Sequence, residues 1–114
     1  GRNQQLALAA AIALEANHEL HLLAVGTDGT DGNTDDAGAF ADGGSCARMR
    51  AQQIDPLRAL ASADAGTALA VAGDVIHTGP TGTNVGDLLI GLRVPVTGLT
   101  AISCGGADMP AVMV

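Results

Sequence analysis

Between Gly26 and Gly44 the chain reads GTDGTDGNTDDAGAFADGG, with five carboxylates (Asp28, Asp31, Asp35, Asp36 and Asp42) and six glycines. Carboxylates so close together can hold a divalent cation or take a proton, and glycines let backbone N–H groups approach an anion. Counted from Asp31, oxygen ligands recur through Asn33 and Asp35 to Asp42, much as in a calcium loop. Asp36, however, stands where that loop requires glycine, and Gly38 where it requires an apolar residue. A solvated linker, a cation loop and a phosphate-handling loop all share this composition.

Two further stretches could meet an anion. TGPTGTN, residues 78–84, has the small residues of an anion-cradling turn, but it lacks the lysine of a Walker loop and also reads as a plain turn. In GRNQ, Arg2 precedes a helix, so a guanidinium fork would stand beside the positive end of a helix dipole, an arrangement suited to carboxylate or phosphate. His18 and His21 straddle a helix-to-strand junction and His77 is remote, which is no zinc-ligand spacing.

The elements that must position these groups alternate. Asn3 to Ala16 is an Ala/Leu-rich helix with Asn3 as N-cap and Leu6, Ala10, Ala13 and Leu14 on one side. Residues 20–26, LHLLAVG, form a buried strand that delivers the Asp/Gly tract at its carboxyl end, where open α/β sheets bind ligands. Ser45 caps a helix over residues 45–54, Asp55 and Pro56 start another, and a short helix runs to Ala72. Residues 74–79 are a strand, 80–84 a turn, and 85–92 a second strand or the end of a hairpin. Helices alternating with strands indicate an α/β layer structure. Residues 94–114, broken by Pro and Gly, are a loose tail or an extra strand.

Composition narrows the function classes. The net charge is −7 with five arginines and no lysine, which excludes nucleic-acid binding through a basic patch. The core must be filled by aliphatic packing, since Phe40 is the only aromatic residue. Cys46 and Cys104 match neither a zinc site nor a redox pair and read as reduced thiols. With no long apolar run and no signal-peptide pattern, the expected location is the cytoplasm, away from membranes.

Three stretches, in order, resemble one family. GRNQQLALAAAIAL is similar to GGRNQE followed by an L-A-L-A helix, and GTDGTDGNTDDAGAFADGGS resembles GTDGxDGPTDAAGAxxDG. GDVIHTGPTGTNVGDLLIGL resembles GD-x-x-x-TGPTGTNV-x-D-L. Over residues 1–93 the chain is similar to the MOFRL domain, the carboxyl-terminal portion of two-domain glycerate 2-kinases, which also go under the name hydroxypyruvate reductase. Gln5 and Asn33 depart from the pattern, and residues 94–114 form an unmatched extension.

The resemblance implies helices layered on a mixed sheet, and a phosphotransferase using ATP and Mg²⁺ on the 2-hydroxyl of D-glycerate. The reaction would occur in a cleft between this lobe and an amino-terminal kinase lobe, joined in cis or in trans. It implies Arg2 and Asp31 as catalytic residues, and Asn3, Gly79, Thr81, Gly82, Thr83 and Asn84 as substrate- and phosphate-binding residues. Asp28 and Asp35 are the implied metal ligands. A detached lobe of this kind is expected to be inactive alone, to expose an apolar face, and to self-associate or be only marginally stable. The alternative is a non-catalytic module of the same kind that binds a small anion or a metal ion.

Overall fold

The computed structural model describes residues 1–95 and 111–113. In chain order the elements are α1 (Arg2–Ala13), β1 (Leu20–Gly26), β2 (Gly38–Asp42), α2 (Ser45–Ala51), α3 (Pro56–Ala61), α4 (Ala65–Val71), β3 (Val75–Ile76), β4 (Asp87–Arg93) and β5 (Ala111–Met113). The strands form one sheet in the order β3-β2-β1-β4-β5. Helices layer on this sheet as expected, but the sheet is antiparallel at every described pair and not mixed. Its centre has no helical crossover: the chain leaves β1, folds back through residues 27–37 and returns as β2, which forces an antiparallel pair.

Period-two alternation assigns the two faces. Leu22 stands opposite Ala41 and Ala24 opposite Ala39, and these turn to the helices. The core they share draws on Ala7, Leu8 and Ala11 of α1, Cys46 and Met49 of α2, Ala59 of α3, and Ala68 and Leu69 of α4. It is aliphatic apart from two sulfur side chains, and Cys46 is a buried free thiol. Cys104 lies outside the described residues. So many alanines bring helix and strand backbones close, and small volume changes there would be felt.

Several local readings are corrected. α1 begins at Arg2 with Gly1 as N-cap, so Asn3 lies buried in the first turn instead of capping it. Its buried face is Gln4, Ala7, Leu8 and Ala11, while Leu6 is exposed; with alanine all around, the wheel has too little contrast to choose a side. The helix ends early because Ala16 has φ 66, and its N–H donates to the Gly43 carbonyl instead of continuing the ladder. β2 was hidden in the Asp/Gly tract. β4 pairs with β1 on the side away from β3, so residues 74–92 are no hairpin. Of the tail, Ala111–Met113 adds an edge strand beside β4, and residues 96–110 lie outside the described residues.

Asp55 does cap α3, its Oδ1 accepting from the Leu57 N–H at 3.1 Å. Ser45 has another role. Its Oγ accepts from the Asp42 N–H at 3.0 Å and donates to Asp74 Oδ2 at 2.7 Å, while Arg48 Nη2 reaches both Asp74 oxygens at 2.9 Å. Arg48 also bonds Asp42. Burial raises the Asp42 pKa, but the hydrogen bonds from Arg48 and the Gly44 N–H outweigh it and hold the carboxyl below its ordinary value. This cluster ties the end of β2 to the start of β3.

Candidate functional site

The loops after β1 and before β4 meet the first turn of α1 in a cleft of about 440 Å³. Its wall holds Arg2, Asn3, Asp28, Asp31, Asn84 and Asp87, with Gly26, Gly32 and Gly86 between them. All three motifs of the sequence therefore converge on one place.

Asp31 organises the floor. Only 1 % exposed, it accepts from the Asn3 N–H through Oδ1 at 2.9 Å and from the Gln4 N–H through Oδ2 at 2.7 Å. These are first-turn donors that have no partner within the helix. The positive end of α1 is thus met by the protein's own carboxylate rather than held open for a ligand. The fit is close: a Cβ on Gly1 would lie 2.4 Å from the Asp31 backbone. Asp31 supplies the cap that local sequence assigned to Asn3, from 28 residues away.

Freed from capping, Asn3 donates through Nδ2 to Asp87 Oδ1 at 3.0 Å, and Arg2 Nε meets Asp87 Oδ2 at 2.7 Å. The Asn3 amide first, and then the Arg2 guanidinium, hold the Asp87 carboxyl below its ordinary range. Arg2 remains 79 % exposed, so this pairing aims the guanidinium without burying it.

The loop before β4 is bound to the loop after β1 mainly through Thr27. Its Oγ1 donates to the Gly86 carbonyl at 2.8 Å and accepts from the Val85 and Gly86 N–H groups at 2.8 and 3.0 Å. Thr81 answers from the other loop, its hydroxyl donating to the Thr27 carbonyl and its N–H to the Asp28 carbonyl. Gly29 permits the contact: it has φ +89, and a Cβ there would lie 2.1 Å from the Gly79 carbonyl oxygen. Thr27 and Asp87 were not singled out from sequence. Both lie inside the quoted motifs, where a hydroxyl and a carboxylate flanking glycines were the available signal.

Of the residues expected from sequence, Arg2, Asn3, Asp28, Asp31 and Asn84 line the cleft. Gly79, Thr81, Gly82 and Thr83 lie in the loop that packs against Thr27–Gly29 and are not among the cleft's lining residues. Asp35 is exposed and outside the lining, on the turn closed by the Asp31 N–H donating to the Asp36 carbonyl. The calcium-loop spacing is not realised, since Asp31 is spent on α1 and Asp42 lies at the end of a strand. Among the described residues no group of three or more His, Cys, Asp and Glu side chains is placed to hold a metal.

The cleft carries three carboxylates, Asp28, Asp31 and Asp87, against one guanidinium. Such a balance repels a polyanion unless a cation intervenes. Among the described residues no helix is long and apolar enough to cross a membrane.

Comparison with known proteins gives the wider setting. The chain is 52% identical over 94 residues to the D-glycerate 2-kinase of Thermotoga maritima, covering 82% of this chain and 22% of that one. It is 38% identical over 100 residues to the glycerate 2-kinase of Pyrococcus horikoshii, 88% of this chain and 22% of the relative. The crystal structure of glycerate kinase from Thermotoga maritima superposes with a TM-score of 0.80 over 82% of this chain and 23% of that chain. The chain thus spans about a fifth of the length of the curated relatives it matches. The sequence model described as the MOFRL family matches residues 1–87, and the chain belongs to that family.

Proposed function

We propose that this chain is the carboxyl-terminal lobe of a glycerate 2-kinase, completing an active site for ATP-dependent phosphorylation of D-glycerate together with an amino-terminal lobe. The convergence of all three motifs on the cleft around Arg2 carries the reading. In the transfer, the glycerate 2-hydroxyl oxygen bonds to the γ-phosphorus of ATP as the bond to the β-phosphate oxygen breaks. ADP leaves, and the hydroxyl proton passes to water. Such a transition state is loose, so positioning and charge matter more than a strong base.

Arg2 holds the glycerate carboxylate through its guanidinium fork, aimed by Asp87. Asp31 acts as a positioning residue, because both of its oxygens already accept from α1. Thr81 and Gly79 shape the wall through Thr27 and Gly29, and Asn84 faces the substrate space.

Magnesium takes one or two protein carboxylates and fills its remaining positions with phosphate and water. Asp28, on the cleft wall and with its carboxylate accepting from the Thr30 N–H of its own loop, fits that mode. Asp28 would hold the ion, which when bound neutralises phosphate charge. Asp35, exposed and not among the cleft's lining residues, is left out of this reading.

The test is phosphorylation of D-glycerate by this chain combined with the remainder of the Thermotoga maritima kinase, with and without Arg2→Ala. The expected loss in kcat/KM is about 100-fold, the scale of one charge-assisted positioning group. Equal turnover by both forms, or none from a folded complex, would reject the reading in favour of a non-catalytic module.

A further inference from the structure

In the loops after β1 and before β4, the hydroxyls of Thr27, Thr34, Thr78 and Thr81 each donate to a backbone carbonyl. Thr30 differs. It lines the cleft and is exposed, and among the described residues its hydroxyl has no hydrogen-bond partner. Its backbone is nonetheless fixed on both sides. The Thr30 N–H donates to Asp28 Oδ1 at 2.9 Å, and its carbonyl oxygen lies so near Gly26 that a Cβ there would be 2.7 Å away. The carboxylates around it are largely engaged, with both Asp31 oxygens accepting from α1 and both Asp87 oxygens meeting Asn3 and Arg2. A positioned hydroxyl on the cleft wall is thus left for a ligand.

We infer that the Thr30 hydroxyl is a specificity-determining contact for the acceptor. Resting on the kinase reading above, it hydrogen-bonds the 3-hydroxyl of D-glycerate while Arg2 holds the carboxylate. A threonine hydroxyl both donates and accepts, which matches another hydroxyl. Both groups are neutral, so their contact needs no cation, whereas a phosphate at Thr30 would stand beside Asp28, whose carboxylate is bonded to the Thr30 N–H. The cleft, at about 440 Å³, has the size of a small-molecule site. Thr30 therefore separates acids that carry a second hydroxyl from acids that end in a methyl group, and Arg2 responds to the carboxylate common to both. Because Thr30 is exposed, water can replace the contact, and its effect on selectivity is about tenfold instead of the far larger factor of a sealed pocket.

The experiment uses this chain combined with the remainder of the Thermotoga maritima kinase and compares kcat/KM for D-glycerate and for D-lactate, which keeps the carboxylate and the 2-hydroxyl but has a methyl at carbon 3. Wild type should prefer D-glycerate. Thr30→Val should cut that preference about tenfold, mainly through KM, and Thr30→Ser should restore it. Far-UV circular dichroism checks folding, and Thr30→Ala replaces Thr30→Val should that variant unfold. The proposal is overturned by equal kcat/KM for the two acids in wild type, by a preference that Thr30→Val leaves unchanged, or by Thr30→Ser behaving as Thr30→Val does. An unchanged preference with a raised Mg²⁺ requirement also overturns it, and makes the hydroxyl a metal ligand. Turnover of neither acid removes the kinase reading, and calorimetry then decides the contact separately. Tighter binding of D-glycerate than of D-lactate, erased by Thr30→Val, supports it; equal affinities, or no binding by wild type, overturn it.

Discussion

Replacing Asp31 should be far more damaging than its place in a polar loop suggests. In Asp31→Ala the Asn3 and Gln4 N–H groups lose their acceptors inside a site only 1% exposed at Asp31. Each orphaned buried donor costs about 1–3 kcal/mol, and removing the negative charge from the helix end adds up to about 2 kcal/mol. The groups share one carboxylate and are not additive, so a total of about 3–5 kcal/mol is expected. Asp31→Asn keeps one acceptor and turns a donor toward the other N–H, so roughly half of that loss should remain.

At about 4–8 °C per kcal/mol for a domain of this size, the alanine variant should melt at least 12 °C lower. The chain has no Trp and no Tyr, so urea unfolding must be followed by far-UV circular dichroism rather than intrinsic fluorescence. Arg2→Ala is the control, because its guanidinium is 79% exposed and its pairing is solvent-screened; its midpoint should not move. An Asp31→Ala midpoint equal to wild type, or a larger shift for Arg2→Ala, would refute the capping argument.

Two other outcomes follow from the cleft. Thr27→Val keeps the β-branched shape but removes the hydroxyl, so faster amide exchange should appear at Val85 and Gly86, with a loss of about 0.5–1.5 kcal/mol because water can replace the lost partner at this exposed edge; unchanged protection there would contradict the assigned contacts. Asp87 has a lowered pKa, so its pairing with Asn3 and Arg2 is complete above the ordinary carboxylate value and lost as pH falls through the depressed one. Carbon-detected NMR should show its midpoint rising more in Asn3→Ala than in Arg2→Ala, and an ordinary midpoint in wild type would remove the pairing.

What could be read from the sequence was what neighbours decide. β1 is an apolar run ended by glycine, and α3 announces itself by Asp55 and Pro56, so both elements lie where local chemistry puts them. The cap of α1 comes from residue 31, a choice visible only once the chain has folded back. β2 is written in Gly, Ala and one Phe, too small a signal to separate from the turns before it, and its strand character comes from pairing with β1. β4 had a turn before it and a strand before that, yet β1 won it over seven residue pairs against a β3 of two residues. In the site, motif likeness assembled Arg2, Asn3, Asp28, Asp31 and Asn84, whereas Thr27 and Asp87 acquire their roles from partners 59 and 84 positions away.

The acidic tract is small and charged for two separate reasons. Its glycines serve backbone contact: Gly29 lies against the Gly79 carbonyl, and any side chain there would part the loops. Its carboxylates are divided between tasks, with Asp31 holding α1 and the Asp28 Oδ1 accepting from the Thr30 N–H in a local turn. Set beside Asp87, they leave a cleft whose single guanidinium already has a carboxylate partner. Coulomb attraction from Arg2 alone cannot hold a nucleotide triphosphate against three carboxylates. On the kinase reading, the missing positive charge must therefore come with the metal and from the lobe that docks beside the cleft. A lobe built in this way is half of an electrostatic site, and its isolated form should neither bind the nucleotide tightly nor turn it over.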